Sequence, residues 1–476
     1  MHRRTPLISI SSAILAAAVV TGCTMGSPGA SQQPNSGSSQ GGNDTTSNQL
    51  TVMTNTSILS GLTAKSFDPK NTISSWYGVY HDLWAKQFPD MKINEIQVKD
   101  DDAEVTKTLL SVNAGNPPDL IGVHAQLPQL VQRGAVENLD KYYDAAGIKP
   151  DDFLKPLADY VRYDGHWYGL PGASNPSFNL FYIPAKLKAA GFDPQNVPKT
   201  FDELYAASQK AVKFAPNGDL QQVGYPVDTG LNRIDLYCGK PTTYDPTTNK
   251  FQPTAACVEG YFAYNKKLLD LYGGQQKYTK FMAGDPSYWS CSAKAYLPSG
   301  KVLFWPDGYW AGPQLDNCYN VTWALADPPT QHGTEAELAG QISPAWVMAV
   351  PRGAKNPQLA FDFVRYTVWE HGERLGPTTN GYVSEKLAEP WSSYLIKHQA
   401  KLRAKNKYPG NPMAEAAPIV AKDAALAGTS YPKNPNTAYF NTQMANAWSQ
   451  VAFGKKTPAE ALGDVQKLID AKNQQR

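Results

Sequence analysis

The chain has 476 residues and a formal net charge of +2, from 44 Lys and Arg against 42 Asp and Glu. No basic face argues for nucleic acid as a partner, and no apolar run beyond the N-terminus is long enough to build a channel. Aromatic content is high, with 26 Tyr and 11 Trp, and such rings join an apolar face to a polar tip that suits partly polar ligands.

The N-terminus reads as an export signal. His2, Arg3 and Arg4 are a positive start, and Leu7 to Val20 are apolar. That run falls short of the roughly 20 apolar residues a spanning helix needs. It ends in Val20-Thr21-Gly22-Cys23, which resembles a bacterial lipoprotein cleavage site. The expectation is a signal peptide over 1–22, lipid on Cys23, and a body held at the outer face of the cytoplasmic membrane. Residues 24–49 are almost entirely Ser, Gly, Asn, Gln and Thr, with Asp44 the only charge, so 23–49 reads as a flexible tether.

From Leu50 onward the pattern is α/β. Leu50–Met53 is a predicted strand, Trp76–Phe88 a helix by its apolar spacing, and Met91–Val98 a strand. Asp100-Asp101-Asp102 lacks the spacing of a calcium loop and reads as a solvated helix start. The helix runs from Asp102 to Ala114 and stops at Gly115-Asn116-Pro117-Pro118. Asp119–Val123 is a continuous apolar strand, and Leu127–Arg133 a short helix ended by Gly134. The rhythm resumes with Leu180–Tyr182, a helix capped by Thr200 and Glu203, a helix over Tyr261–Tyr272, and a strand over Val302–Phe304. Ala345–Val350 is a strand, Pro357–Trp369 a helix, and the C-terminal third mostly helical to Ala471. Alternating strands and helices imply a mainly parallel sheet.

Four cysteines remain beyond Cys23: Cys238, Cys257, Cys291 and Cys318. An even number in an exported chain implies disulfides. Three pairings exist; Cys238–Cys257 with Cys291–Cys318 is favoured because each closes a short loop. No C-x-x-C stands here, so no metal is expected, and no cofactor.

Seven segments, in order, carry a family resemblance. They are Ala114–Leu120, Gly134–Asp140, Asp164–Pro171, Pro198–Leu204, Gly300–Trp310, Pro351–Phe361 and Thr457–Leu462. In this order they are similar to the extracellular solute-binding proteins of ABC importers, in the sugar-binding group that includes maltose-binding protein. The resemblance implies a type II periplasmic-binding-protein-like fold, two α/β lobes joined by hinge strands around a ligand cleft. It places one lobe at 50–172 plus 328–371 and the other at 173–327 plus 372–476. It implies a monomer that is not an enzyme, a carbohydrate ligand of oligosaccharide length, and ABC permease transmembrane subunits as partners.

Ligands of such lobes lie beyond the carboxyl ends of strands. A sugar offers C–H faces to aromatic rings and hydroxyl edges to amides and carboxylates. That rule and the resemblance together select Asn55, Thr56 and Ser57; His124 and Gln126; Ser174 and Asn175; and Trp305, Asp307, Tyr309 and Trp310. Asp228, Trp346 and Tyr439 are further placements. Trp310 is the foremost candidate for stacking, with a core ring as the alternative. Asp307 would accept hydroxyls or simply form the turn before Gly308, and Trp289 would pack on a disulfide. Thr54-Asn55-Thr56 and His124 stand where the family often has aromatics, so the first lobe reads as more polar than a maltose groove. A secreted glycosidase and a receptor for a non-sugar solute are the competing readings. No G-x-S-x-G, H-E-x-x-H or phosphate loop supports an enzyme.

Overall fold

The computed structural model describes residues 48–55, 80–174, 179–228, 230–284, 287–340, 345–376, 381–428 and 430–474. In chain order the elements that build the scaffold are β1 (Gln49–Asn55), β2 (Lys92–Val98), α1 (Asp101–Asn113), β3 (Leu120–Val123), α2 (Lys155–Val161) and β4 (Leu170–Ser174). There follow β5 (Asn179–Tyr182), α3 (Phe201–Ala211), α4 (Leu231–Cys238), α5 (Ala256–Leu271), β6 (Phe304–Asp307), α6 (Ala311–Cys318) and β7 (Ala324–Ala326). The chain then makes β8 (Ala345–Ala349), α7 (Pro357–Val364), α8 (Glu385–Lys405), α9 (Pro412–Leu426), α10 (Thr437–Ala452) and α11 (Pro458–Gln474).

Two sheets organise these elements. The first has the order β2-β1-β3-β8-β4, with β1 parallel to both β2 and β3, and β8 antiparallel to β3 and β4. Every residue of β3 is buried, as expected of a central strand covered on both faces, and so is every residue of β4 although it ends the sheet. The second sheet is β6-β5-β7, with both outer strands antiparallel to β5. One apolar core surrounds the first sheet and continues through Tyr309, Trp323, Trp391 and Met413. Another gathers Phe201, Tyr261, Leu268 and Phe304 with Phe440 and Leu462 of the last two helices.

The chain passes from one sheet to the other twice. It leaves β4 at Ser174 and is in β5 by Asn179; it leaves β7 at Ala326 and is in β8 by Ala345. Ser174 pairs with Ala345, and Asn179 pairs with Asp307. Both passages therefore leave the first sheet at one end and meet the second sheet at one end, since Ala326 pairs with Leu180 beside Asn179.

Several local expectations shift. Only the end of the Trp76–Phe88 helix lies within the described residues, as a π-turn over Tyr80–Trp84 and a short α-turn to Gln87. The Pro357–Trp369 helix stops at Val364 and widens into a π-turn over Arg365–Glu370. The strand placed at Val302–Phe304 begins at Phe304 instead, while Val302 makes only an isolated bridge to Val223. Pro306 sits in the middle of that strand, which an outer strand tolerates because one side of its backbone needs no partner. Both local disulfides are present, Cys238–Cys257 and Cys291–Cys318, with Cα separations of 5.4 and 4.9 Å.

Candidate functional site

The carboxyl ends of β1 and β3 are tied together by the first turn of α1. Asp100 caps that helix, its carboxylate accepting the Ala103 N–H at 2.9 Å. Asp101 turns inward. One of its oxygens accepts from the Asn55 amide at the end of β1, and the other meets His124 Nδ1, just past β3, at 3.0 Å. One turn further, Glu104 is fully buried and accepts the Gly122 N–H at 2.9 Å. Burial drives its carboxyl up to about 8, aided by the nearby Asp101 charge. Tyr160 of α2 donates its hydroxyl to the His124 carbonyl at 2.5 Å, and Tyr431 lies 6.1 Å from the Tyr160 ring. Ser174 closes this edge, with its hydroxyl buried and unmatched by any acceptor or donor.

The second edge belongs to β6. Trp305 and Asp307 are two apart and share a face, so the indole Nε1 donates to Asp307 Oδ2 at 3.1 Å. Tyr288 donates to the same oxygen at 2.6 Å, and the Gly308 N–H donates to Asp307 Oδ1 at 2.8 Å. Burial raises the Asp307 carboxyl above its ordinary range, although these three donors and the Arg233 charge oppose it. Arg233 pairs with Asp228 at 2.9 Å, and Asp228 accepts the Gly230 N–H at 2.8 Å. Trp310 lies flat against the Gly308 backbone. A Cβ at position 308 would sit 2.2 Å from that ring, so only glycine fits. Trp289, Trp305 and Trp310 are each half-buried, which leaves part of each ring uncovered.

Residues 81–383 match the bacterial extracellular solute-binding protein family. The chain belongs to that family. An ABC transporter extracellular-binding protein of Pyrococcus horikoshii is 23% identical over 411 residues, covering 83% of this chain and 84% of its own. The solved Listeria monocytogenes ABC substrate-binding protein in complex with cycloalternan is 14% identical, with a TM-score of 0.67, covering 89% of this chain and 98% of its own. A binding protein solved with mannotriose bound is 24% identical, with a TM-score of 0.61, covering 88% of this chain and 99% of its own. The fold is the two-lobed fold of these solute-binding structures.

In this solute-binding protein the sequence-selected residues fall into four groups. Asn55, His124 and Ser174 stand together on the first edge, with Gln126 beside them accepting the His124 N–H at 3.3 Å. Trp305, Asp307 and Trp310 stand on the second edge, with Asp228 reaching it through Arg233. Trp305 and Asp307 lie within β6 rather than beyond it, because the strand starts later than its apolar run suggested. Two placements are core instead. Tyr309 is 1% exposed and packs edge-on against Trp391, and Trp346 is 1% exposed with its ring against Gly172. Tyr439 lies on α10, partly buried against the second core, with Lys472 over its ring. Thr56, Ser57, Asn175 and Cys23 lie outside the described residues.

Asp101, Tyr160, Tyr288 and Arg233 belong to these clusters and were not selected. Asp101 carried a signal. Asp101, Glu104, Val105 and Thr108 repeat at helical spacing, and the last three are buried, so the acidic start continues an inward face.

Proposed function

We propose that this chain is the receptor of an ABC importer for a carbohydrate of oligosaccharide length, bound between the two sheet edges. The observation that carries this reading is the β6 edge. Three partly uncovered tryptophans surround a carboxylate already held by three donors. Rings of that kind cover the C–H faces of sugars, and a fixed carboxylate accepts their hydroxyls. The cycloalternan and mannotriose bound to the related structures support the same ligand class. The lobes are assigned to 50–172 plus 328–371 and to 173–327 plus 372–476; the sheet membership of β1–β4 with β8, and of β5–β7, supports that division. Lipid on Cys23 and a tether over 23–49 would hold a monomeric body near its permease, and the Val20–Cys23 segment supports that placement. The bound sugar is carried unchanged, so no catalytic residue is assigned.

A thermal-shift screen of mannotriose, maltotetraose, cycloalternan, amino acids and polyamines tests the ligand class. A sugar at a hundred times its Kd adds about 2.7 kcal/mol of stability. A raised midpoint with the sugar recovered intact is the expected result. Cleaved sugar would make the protein a glycosidase, and a shift only with amino acids or polyamines would end the carbohydrate reading.

A further inference from the structure

The ring of chain closed by Cys291–Cys318, with a sequence separation of 27, contains Trp305, Asp307 and Trp310. The other disulfide, Cys238–Cys257, closes a ring that contains none of the residues on that edge. Just before Cys291 lie Tyr288 and Trp289, in one turn of 3-10 helix. Side-chain contacts hold that turn. The Tyr288 hydroxyl reaches Asp307 at 2.6 Å, and the Tyr319 hydroxyl reaches the Tyr288 carbonyl at 3.0 Å. Gln314 of α6 donates both to the Trp289 carbonyl at 3.3 Å and to Cys318 Sγ at 3.0 Å. Ser287 caps the turn at the Trp289 N–H. Cys291 ends it with φ of 53°, a left-handed conformation that costs a non-glycine residue energy unless its surroundings impose it. α6 runs from Ala311 to Cys318 with Trp310 as its N-cap residue, so the disulfide ties the turn to the helix whose first turn Trp310 precedes.

We infer that Cys291–Cys318 is a positioning device for the ligand-binding edge: it holds Tyr288 and Trp289 against Asp307 and Trp310, so affinity depends on it beyond its share of stability. The inference rests on the carbohydrate reading for its ligand and on geometry alone for its ordering role. Cys238–Cys257 joins the end of α4 to the start of α5 and encloses none of Tyr288, Trp289, Asp307 and Trp310.

Two double variants, C291S/C318S and C238S/C257S, separate the roles. Hydrogen exchange of the unliganded protein is the first arm and needs no sugar. Loss of Cys291–Cys318 should speed exchange selectively over residues 287–311, with β5 unchanged; loss of Cys238–Cys257 should leave 287–311 as in the parent. Equal exchange over 287–311 in the parent and in C291S/C318S would overturn the inference whatever the ligand proves to be. The second arm uses the sugar giving the largest thermal shift in the panel. Its Kd should rise roughly tenfold in C291S/C318S, as expected when a hydrogen-bonded site loses its order, and stay within about twofold in C238S/C257S. Y288F should weaken binding in the parent but add little in C291S/C318S, because Tyr288 is already released there. Additive losses, or equal losses from both disulfides, would reduce the bond to a structural staple. If C291S/C318S fails to fold, Q314A and Y319F loosen the same turn and are read by the same exchange measurement.

Discussion

Gly308 shows how one residue sets the site. Its missing side chain lets the Trp310 ring lie on the backbone beside Asp307. Gly308→Ala must push that ring aside, and the sugar Kd is expected to rise about tenfold or more, the worth of one aromatic contact; calorimetric titration against D307N and the parent checks it. Glu104 makes a different prediction. Its carboxyl is raised from an ordinary 4.5 to about 8, so the folded state holds a proton that the unfolded state releases. Stability from this group is therefore full below about pH 4.5 and is lost as pH rises towards 8, at up to about 1.4 kcal/mol per pH unit. Glu104→Gln keeps an acceptor for the Gly122 N–H and cannot ionise. Urea unfolding at pH 5 and pH 8 should show its advantage over the parent growing with pH; an equal difference at both would show that Glu104 does not titrate there. Glycine, tryptophan and aspartate at 307–310 were legible from sequence because the spacing is compact. The Asp101 link between Asn55 and His124 was not, since an aspartate at a helix start looks the same whether it faces water or a neighbouring strand.

At the scale of elements, local chemistry was read best where it is self-contained. Thr200 and Glu203 form the reciprocal capping box that their spacing implies, with Thr200 Oγ1 accepting the Glu203 N–H at 3.1 Å. Thr200→Ala should cost about 1 kcal/mol of unfolding free energy and leave sugar affinity unchanged, which paired chemical melts and titrations would measure. The β6 boundary was misread for the opposite reason. Apolar Val302 and Leu303 extend the strand pattern backwards, whereas the ladder that decides it is the pairing with Asn179–Tyr182, far away in sequence. Pro306 falls inside this strand, paired with Leu180, and is tolerated because the strand is an outer one.

The whole molecule adds a connection that no segment announces. Lys433, in the segment leading to α10, donates to the Asp159 carbonyl at 2.7 Å and to the Arg162 carbonyl at the end of α2. Its neighbour Asn434 donates to the Asn249 carbonyl at 3.0 Å, so the segment ties the end of α2 to Asn249. A partly buried lysine on helix-terminal carbonyls is a charge-assisted tie, and its partial burial lowers the pKa of its ammonium group. Lys433→Met should shift the balance between lobe arrangements by about 1–2 kcal/mol, roughly a 5–30-fold change in their ratio. Small-angle scattering of the unliganded protein should then report a larger radius than the parent; an unchanged radius and affinity would show that the tie carries no weight. Pro306 has a consequence at this scale as well. An outer strand is where a second chain could add itself and begin an aggregate. A proline within it withholds an N–H from any incoming strand, so copies crowded together would lack a continuous ladder on which to assemble.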